Sequence, residues 1–466
     1  MRKIIVFCLV FMASCTVGPD FERRDVYKDR QIAESLQLTG RDLKIDPCWY
    51  QDFKDESLNA LINKSLSNNT SVLSGIERLK QARTSVKIAR AEYLPKLNTS
   101  AGYDYARASE NIGLSADTNY FSLGFDANWE IDIWGAGRRL NEKTTAQFWQ
   151  SYYNLQNIKA LIAAETASTY FALKTAQEKW RISKANLALQ QDIFKTVEAK
   201  YQAGLADLAS YNQSKYVVNK TKALIPALEA QIKAYQTALA VLTGTLPDEL
   251  GVDLSLKKAN PIKKAYQYDM KKLFDLPANI IRTRADVKAA EKAMVAQNAA
   301  IGQATAAIYP NISISGLLGL QSSAGSKLFK SSSKAYGYEP SLVQPIFHFG
   351  QLKNQIELER EKMEETYQNY RQILLNAVKE LADSLTNLQK EYQTNRASQN
   401  AAHSMREAFQ SMKEKYESGL IEYAALLEVQ QDLLEAETDL AQSNGAIYQK
   451  IIAFYKATGG GYNDEK

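Results

Sequence analysis

Phe121-Ser122-Leu123-Gly124-Phe125-Asp126-Ala127-Asn128-Trp129-Glu130-Ile131-Asp132-Ile133 alternates apolar and polar side chains without a break. Successive side chains of a β-strand point to opposite faces, so the stretch has one aromatic and aliphatic face and one polar face. Strands of soluble sheets usually stop at about 5–6 residues. A strand crossing a membrane needs about 9–11, with lipid on one side and water on the other. The run from 121 to 133 therefore predicts a membrane-crossing strand, with Asp126, Asn128, Glu130 and Asp132 facing a wet lumen.

Three more segments carry the same period. In Leu97 to Tyr105, odd-numbered Leu97, Thr99, Ala101, Tyr103 and Tyr105 oppose Asn98, Ser100, Gly102 and Asp104, which adds Asp104 to the lumen set. Ile312, Ile314, Gly316, Leu318 and Leu320 oppose Asn311, Ser313, Ser315 and Gly319. A fourth strand, about Ala335 to Phe347, contains Pro340 and Pro345, which a sheet tolerates only where the missing N–H is not needed. Polar loops at 108–118 and 321–334 close two hairpins, at about 97–133 and 311–347. Gly319, Gly325 and Lys327 lack the spacing and the following helix of a phosphate-binding loop.

The hairpins belong to a duplication. Pro95 and Pro310 stand 215 residues apart (310 − 95 = 215). Gly135 and Gly350, Lys200-Tyr201 and Lys415-Tyr416, Gly204-Leu205 and Gly419-Leu420, and Thr243-Gly244 and Thr458-Gly459 keep the same offset. A repeat this long is an architecture. It divides the chain into a first repeat at 57–246, a linker at 247–278, a second repeat at 279–460 and a tail at 461–466.

Long helical tracts follow each hairpin. From about Arg138 to Gln202 and from about Gln351 to Ser418 there is neither proline nor glycine. Leu173, Trp180, Leu187, Phe194 and Tyr201 recur every seven residues, as do Leu381, Leu388, Ala402, Phe409 and Tyr416, with Asn395 interrupting the second series. A heptad period predicts under-wound helices packed side by side, here rods of roughly 100 Å at 1.5 Å per residue. Gly204 and Gly419 close the rods, and Asp207 and Glu422 stand where the shorter return helices start, near 208–243 and 423–458. Pro226 predicts a kink in the first return helix.

The start of the chain sets the compartment. Arg2 and Lys3 precede an apolar run from Ile4 to Ala13, which reads as a secretory signal over residues 1–14. Met12-Ala13-Ser14-Cys15 reads as a lipidation site, with Cys15 opening a lipid-anchored extended segment over 15–56; one acyl chain alone is a weak anchor. A net charge of +5 with interspersed signs does not indicate a nucleic-acid partner. Besides Cys15, only Cys48 remains after signal removal, and His348 and His403 are the two histidines. The chain is read as having no disulfide framework, no metal site, no cofactor beyond the lipid and no catalytic cluster. No apolar run reaches the length of a transmembrane helix.

Four strands cannot close a membrane barrel, since the smallest have eight. An open sheet edge in lipid leaves backbone groups unpaired. The expected fold is mainly α with a trimeric twelve-stranded β-barrel, four strands per chain, continued by a long α-helical barrel.

Several motifs then resemble one family. Cys15-Thr16-Val17-Gly18-Pro19-Asp20-Phe21, Trp49-Tyr50-Gln51-Asp52-Phe53-Lys54-Asp55 and Leu276-Pro277-Ala278-Asn279-Ile280-Ile281-Arg282-Thr283-Arg284-Ala285-Asp286-Val287 resemble signatures of the TolC-type outer-membrane channel lipoproteins paired with resistance–nodulation–division pumps. Glu56 and Ala285 depart from it where proline is usual, which leaves the helix starts in question. The resemblance implies a homotrimer in outer-membrane lipid, a tunnel across the periplasm, and a passive, pump-driven conduit for small solutes. It implies a tip, built on Gly204, Leu205, Asp207, Gly419, Leu420 and Glu422, that meets a periplasmic adaptor protein and an inner-membrane pump. Gate candidates near that tip are Glu407, Glu414 and Glu417, with Arg406, Lys413 and Lys415 as cationic partners, against the plain alternative of a solvated helix face. A channel for a protein-secretion exporter and a periplasmic coiled-coil scaffold are the rival readings. The cargo is not legible.

Overall fold

The computed structural model describes residues 16–24, 27–36, 38, 46–107, 109, 111, 117–256, 262, 266, 276–277 and 279–460. Cys15, the signal segment and the 461–466 tail lie outside them, as does much of the linker. The elements are α1 (Asp29–Leu36), α2 (Glu56–Asn68), α3 (Thr70–Ala91), β1 (Lys96–Arg107), β2 (Asp117–Ile131), α4 (Ala136–Gln202), α5 (Leu208–Leu242), α6 (Ala285–Ala306), β3 (Asn311–Ser322), β4 (Lys334–Val343), α7 (Gln351–Glu417) and α8 (Tyr423–Ala457). Adding 215 to the bounds of α3, β1, α4 and α5 gives the bounds of α6, β3, α7 and α8. Both long helices have 67 residues and both return helices 35. Among the described residues no helix is long and apolar enough to cross a membrane.

The chain divides into two compact units that do not follow the repeats. The first, residues 1–25, 78–152 and 289–372, holds the sheet. The order is β1-β2-β3-β4, antiparallel throughout. Register puts even residues of β1 and β2 on one face with odd residues of β3 and β4, since Asn98 pairs with Asp126, Asp126 with Leu317, and Ser315 with Glu339. β2 ends at Ile131 and β4 at Val343, so Asp132, Ile133, Pro345 and Phe347 leave the strands they were expected in. Pro340 sits inside β4, an edge strand of the sheet within one chain.

The second unit, residues 26–77, 153–288 and 373–466, is helical. Trp49 is buried and stacks on Tyr455 at 4.8 Å, and Leu58, Leu61 and Ile62 of α2 are wholly buried. Each such side chain contributes about 1.5–3 kcal/mol by leaving water. Asp55 caps α2 by accepting from the Leu58 N–H at 3.1 Å, and its other oxygen accepts from the Tyr170 hydroxyl at 2.8 Å. Glu56 and Ala285 are the first residues of α2 and α6. That is the one helical position where proline is a convenience, because its N–H is unbonded anyway. Its loss leaves both helix starts intact. α5 runs unbroken through Pro226.

The heptad reading holds in one repeat and shifts in the other. On α7, Leu381, Leu388, Asn395, Ala402, Phe409 and Tyr416 are all buried. Asn395 does not interrupt the seam; its amide donates to Asn444 Oδ1 at 2.9 Å and to Ser443 Oγ at 3.2 Å. On α4, Leu173 is buried, but Trp180, Leu187 and Phe194 are half-buried and Tyr201 is exposed. The buried line there is Ser183, Asn186, Gln190, Ile193 and Val197. The aromatics face α5 instead, where Tyr201 stacks on Tyr211 at 5.0 Å.

α4 and α8 meet closely. Gly445 of α8 lies against Thr175, and a Cβ at Gly445 would overlap Thr175 Oγ1. Gly445→Ala is expected to cost about 1–3 kcal/mol through overpacking, read as a lower midpoint for thermal loss of helical circular dichroism. An unchanged midpoint would mean that the two helices separate freely.

Candidate functional sites: a two-faced sheet and a paired tip

The polar face of the sheet carries Asp104, Asp126, Asn128 and Glu130 in one register, joined by Glu339 of β4. Ser100 Oγ donates to Asp126 at 2.5 Å, and Asn311 donates to Glu130 at 2.6 Å. Asp132 does not belong to this face. Lying just past β2, its carboxylate accepts from the backbone N–H groups of Gly137 and Arg138, at 3.1 and 3.0 Å, and pairs with the Arg138 guanidinium at 3.4 Å. A carboxylate at the positive end of a 67-residue helix is well placed there. The opposite face exposes Leu97, Tyr103, Tyr105, Phe125, Leu318, Tyr336, Tyr338 and Leu342. Such a contiguous apolar patch marks a surface meant for lipid or protein.

The sheet unit also holds the described residues that follow Cys15. The Val17 N–H donates to the Trp134 carbonyl at 3.0 Å. The Arg139 side chain, 4 % exposed, donates to the carbonyls of Val17 and Gly18 and to the Asp20 carboxylate. Asn298 donates to the Pro19 carbonyl at 2.8 Å. An open groove of about 960 Å³ at the foot of the sheet is lined by Glu92, Tyr93, Glu130, Trp134, Gln303 and Pro310 among others.

The tip in the helical unit is built twice. After α4, the Leu205 N–H donates to the Lys200 carbonyl at 2.8 Å and the Gly204 N–H to Tyr201 at 3.0 Å. After α7, Leu420 donates to Lys415 at 2.9 Å and Gly419 to Tyr416 at 3.0 Å. These paired bonds satisfy the last helical carbonyls, and they need a left-handed residue. Gly204 at φ 73° and Gly419 at φ 75° supply it, with open space where a Cβ would lie. Leu205 and Leu420 are left 78 % and 75 % exposed, with nothing of their own unit over them.

The two turns differ in chemistry. Asp207 caps α5 by accepting from the Ser210 N–H at 2.8 Å, and bonds from the Ser210 side chain first and its backbone second hold its carboxyl below the usual range. Glu422 occupies the same position before α8 with no side-chain cap bond. Lys200 Nζ lies 4.2 Å over the Tyr416 ring, so one repeat's Lys-Tyr motif meets the other's. Behind the turns, Ile193, Val197, Val217, Phe409, Tyr416, Tyr423 and Leu426 share one apolar cluster.

All six gate candidates lie on α7. Arg406 pairs with Glu437 of α8 at 2.7 Å and ties two helices together. Glu407 lies 3.6 Å from His403, Glu417 lies 3.8 Å from Lys413, and Glu414 accepts from Gln410 at 2.8 Å, all within α7. The backbone carbonyl of Lys415 closes the turn. Helical spacing reveals pairs on one helix, so it could not show Glu437 or the Lys200–Tyr416 contact, although the repeated Lys-Tyr motif pointed to the latter's residues.

Burial pushes the Tyr423 hydroxyl up to about 12, with the nearby Tyr416 hydroxyl adding to it, and Tyr416 is raised by burial as well. A folded-state value above the ordinary one contributes stability below pH about 10 that is lost as pH rises toward about 12. Tip packing is expected to loosen in that window, followed by tyrosinate absorbance, and Tyr423→Phe should reduce the late-titrating phase by one tyrosine, since Tyr50 and Tyr170 are also raised by burial. Asp207→Ala should speed amide exchange at Ser210 several-fold, while Glu422→Ala should leave exchange at Ala425, 215 residues on from Ser210, unchanged; equal effects would contradict the difference in capping.

Comparison with known proteins joins these features. A family model described as outer membrane efflux protein matches residues 61–245 and 276–460, one block in each repeat. The chain is 26 % identical over 387 residues to the cation efflux system protein CusC of Escherichia coli O6:H1, covering 82 % of each. It is 26 % identical over 400 residues to nodulation protein T of Rhizobium leguminosarum bv. viciae, covering 86 % of this chain and 81 % of that one. The solved outer-membrane channel OprN superposes with a TM-score of 0.85 at 27 % identity, covering 96 % of this chain and 99 % of its own. The CmeC outer membrane channel of Campylobacter jejuni, at 23 % identity, a TM-score of 0.86 and coverage of 97 % and 96 %, shares the fold. A match to both halves of a duplicated sheet-and-helix unit leaves one assignment: the chain belongs to the outer membrane efflux protein family and is an outer-membrane channel of the efflux type.

Proposed function

We propose that three copies of this chain form a continuous passive conduit for small solutes, which a periplasmic adaptor and an inner-membrane pump feed from the tip. The observation that carries this reading is the four-stranded sheet, apolar on one face and acidic on the other, with β1 and β4 as open edges. In lipid those edges need partners, and three copies supply twelve strands. The acidic face then lines a channel that favours cations or water over anions. CusC is named for cation efflux, and the Pseudomonas putida relatives SrpC and TtgI for solvent and toluene efflux pumps. Cys15 is the proposed lipid attachment, and the clamp of Arg139 on the residues that follow it would hold that anchor at the sheet unit.

Heat-modifiable trimers in outer-membrane fractions and ion conductance in planar bilayers test the conduit; a soluble monomer without conductance would sink it. The exposed pair Leu205 and Leu420 is the proposed adaptor contact. Leu205→Asp with Leu420→Asp should abolish export while trimers and conductance persist. Normal export by that variant would move docking elsewhere.

A further inference from the structure

The loop between β3 and β4 differs in charge from its counterpart in the first repeat. From Asn311 to Tyr338 the chain has no Asp or Glu, yet it places Lys327, Lys330 and Lys334 close together, with Phe329 among them. The residues 215 earlier, Ile112, Ser115, Asn119 and Leu114, are uncharged. Local hydrogen bonds give the basic loop a defined shape. Single helical turns at Gly325–Lys327 and Ser331–Ser333 bracket it. The buried Ser333 hydroxyl donates to the Lys327 carbonyl at 2.7 Å, and the Lys330 N–H donates to the same carbonyl at 3.0 Å. Phe329 is left bare between the two turns, 78 % exposed, and the three lysines are exposed around it.

The position of the loop decides what it can meet. α6 ends just before β3 and α7 begins just after β4, so the loop lies at the far end of the hairpin from both helices. Gly325 lies against the Phe121 ring, 3.7 Å from where a Cβ would stand. Phe121 belongs to the apolar face, with its ring 4.7 Å from that of Tyr103. The loop therefore folds onto the apolar side of the sheet, away from the carboxylates of the other face. Lys334 extends the same side, opposite Leu320 and in line with Tyr336 and Tyr338. A lysine at the end of a lipid-facing strand lays its methylenes along apolar surface and lifts its ammonium to the head groups.

We propose that this loop docks the phosphate groups of the surrounding lipid, at the membrane surface opposite the helices. Phe329 enters the acyl boundary, and Lys327, Lys330 and Lys334 engage the phosphates. An apolar anchor among cations is the combination that binds an anionic interface. Each lysine near such a surface contributes about a five-fold preference for it. Because the first repeat carries no equivalent charges, each chain offers one such site.

The inference rests on the strands crossing lipid, and its test separates the two. The full chain in neutral detergent is titrated with bis-phosphorylated lipid A, and bound lipid is followed by native mass spectrometry, with phosphatidylcholine and inorganic pyrophosphate as controls. Lipid A should be retained and phosphatidylcholine lost. Lys327→Gln with Lys330→Gln and Lys334→Gln should weaken retention by on the order of a hundred-fold, and Phe329→Ser by several-fold. Equal retention by the triple variant would overturn the site. So would displacement of lipid A by pyrophosphate at equal concentration, which would mark a site for free phosphate. Trimers weakened by Phe329→Ser, with lipid binding unchanged, would seat Phe329 on another copy and overturn its lipid role. The triple variant should conduct in planar bilayers as the wild type does. A wild-type chain that neither inserts nor conducts would sink the membrane reading; one that conducts without lysine-dependent binding would sink the loop site alone.

Discussion

Everything in this chain depends on where the backbone hydrogen bonds of β1 and β4 go. A sheet edge in water can be left to solvent, and in hydrocarbon it cannot. The four strands are long enough to cross lipid, with 12, 15, 12 and 10 residues. They present apolar side chains on one face and carboxylates on the other. A single chain therefore has a sheet that suits a membrane but cannot close on itself. Duplication supplies those strands as two matched hairpins, β1·β2 and β3·β4.

The helical unit solves a different problem, which is how to end long helices without wasting their carbonyls. Gly204 and Gly419 take the left-handed conformation, and paired backbone bonds close each end. The turns thus need little from their side chains. Leu205 and Leu420 are free to face outward, and the apolar cluster behind them, including Val197, Phe409 and Leu426, holds the turns in place. Rigidity behind a bare apolar residue is what a docking surface requires, because little side-chain or loop freedom is lost on contact.

Period-two alternation made the strands legible, since nothing else in a sequence places carboxylates and aromatics in strict turn. Their ends were less so. Asp132 continues the alternation in the sequence but is drawn off to cap α4, because four unpaired N–H groups at a helix start compete for any nearby carboxylate. The heptad series on α4 turned toward α5 and away from the buried line. Reading apolar residues as core favoured Trp180 and Phe194, whereas the buried line includes Ser183, Asn186 and Gln190. On α7, where the buried residues are mostly apolar, the series held. Charge spacing gave the Lys413–Glu417 and His403–Glu407 neighbours but not Arg406–Glu437, since a contact between helices depends on their packing.

The Lys200–Tyr416 contact has a consequence for symmetry. Both repeats carry Lys-Tyr before the glycine, yet Tyr416 is buried under a cation while Tyr201 is exposed and stacked on Tyr211. The two corners of one tip are equal in backbone and unequal in surface. Around an axis, three such tips would show six leucines that look alike and two alternating kinds of neighbourhood. A partner that touches both corners of one tip therefore meets two different surfaces.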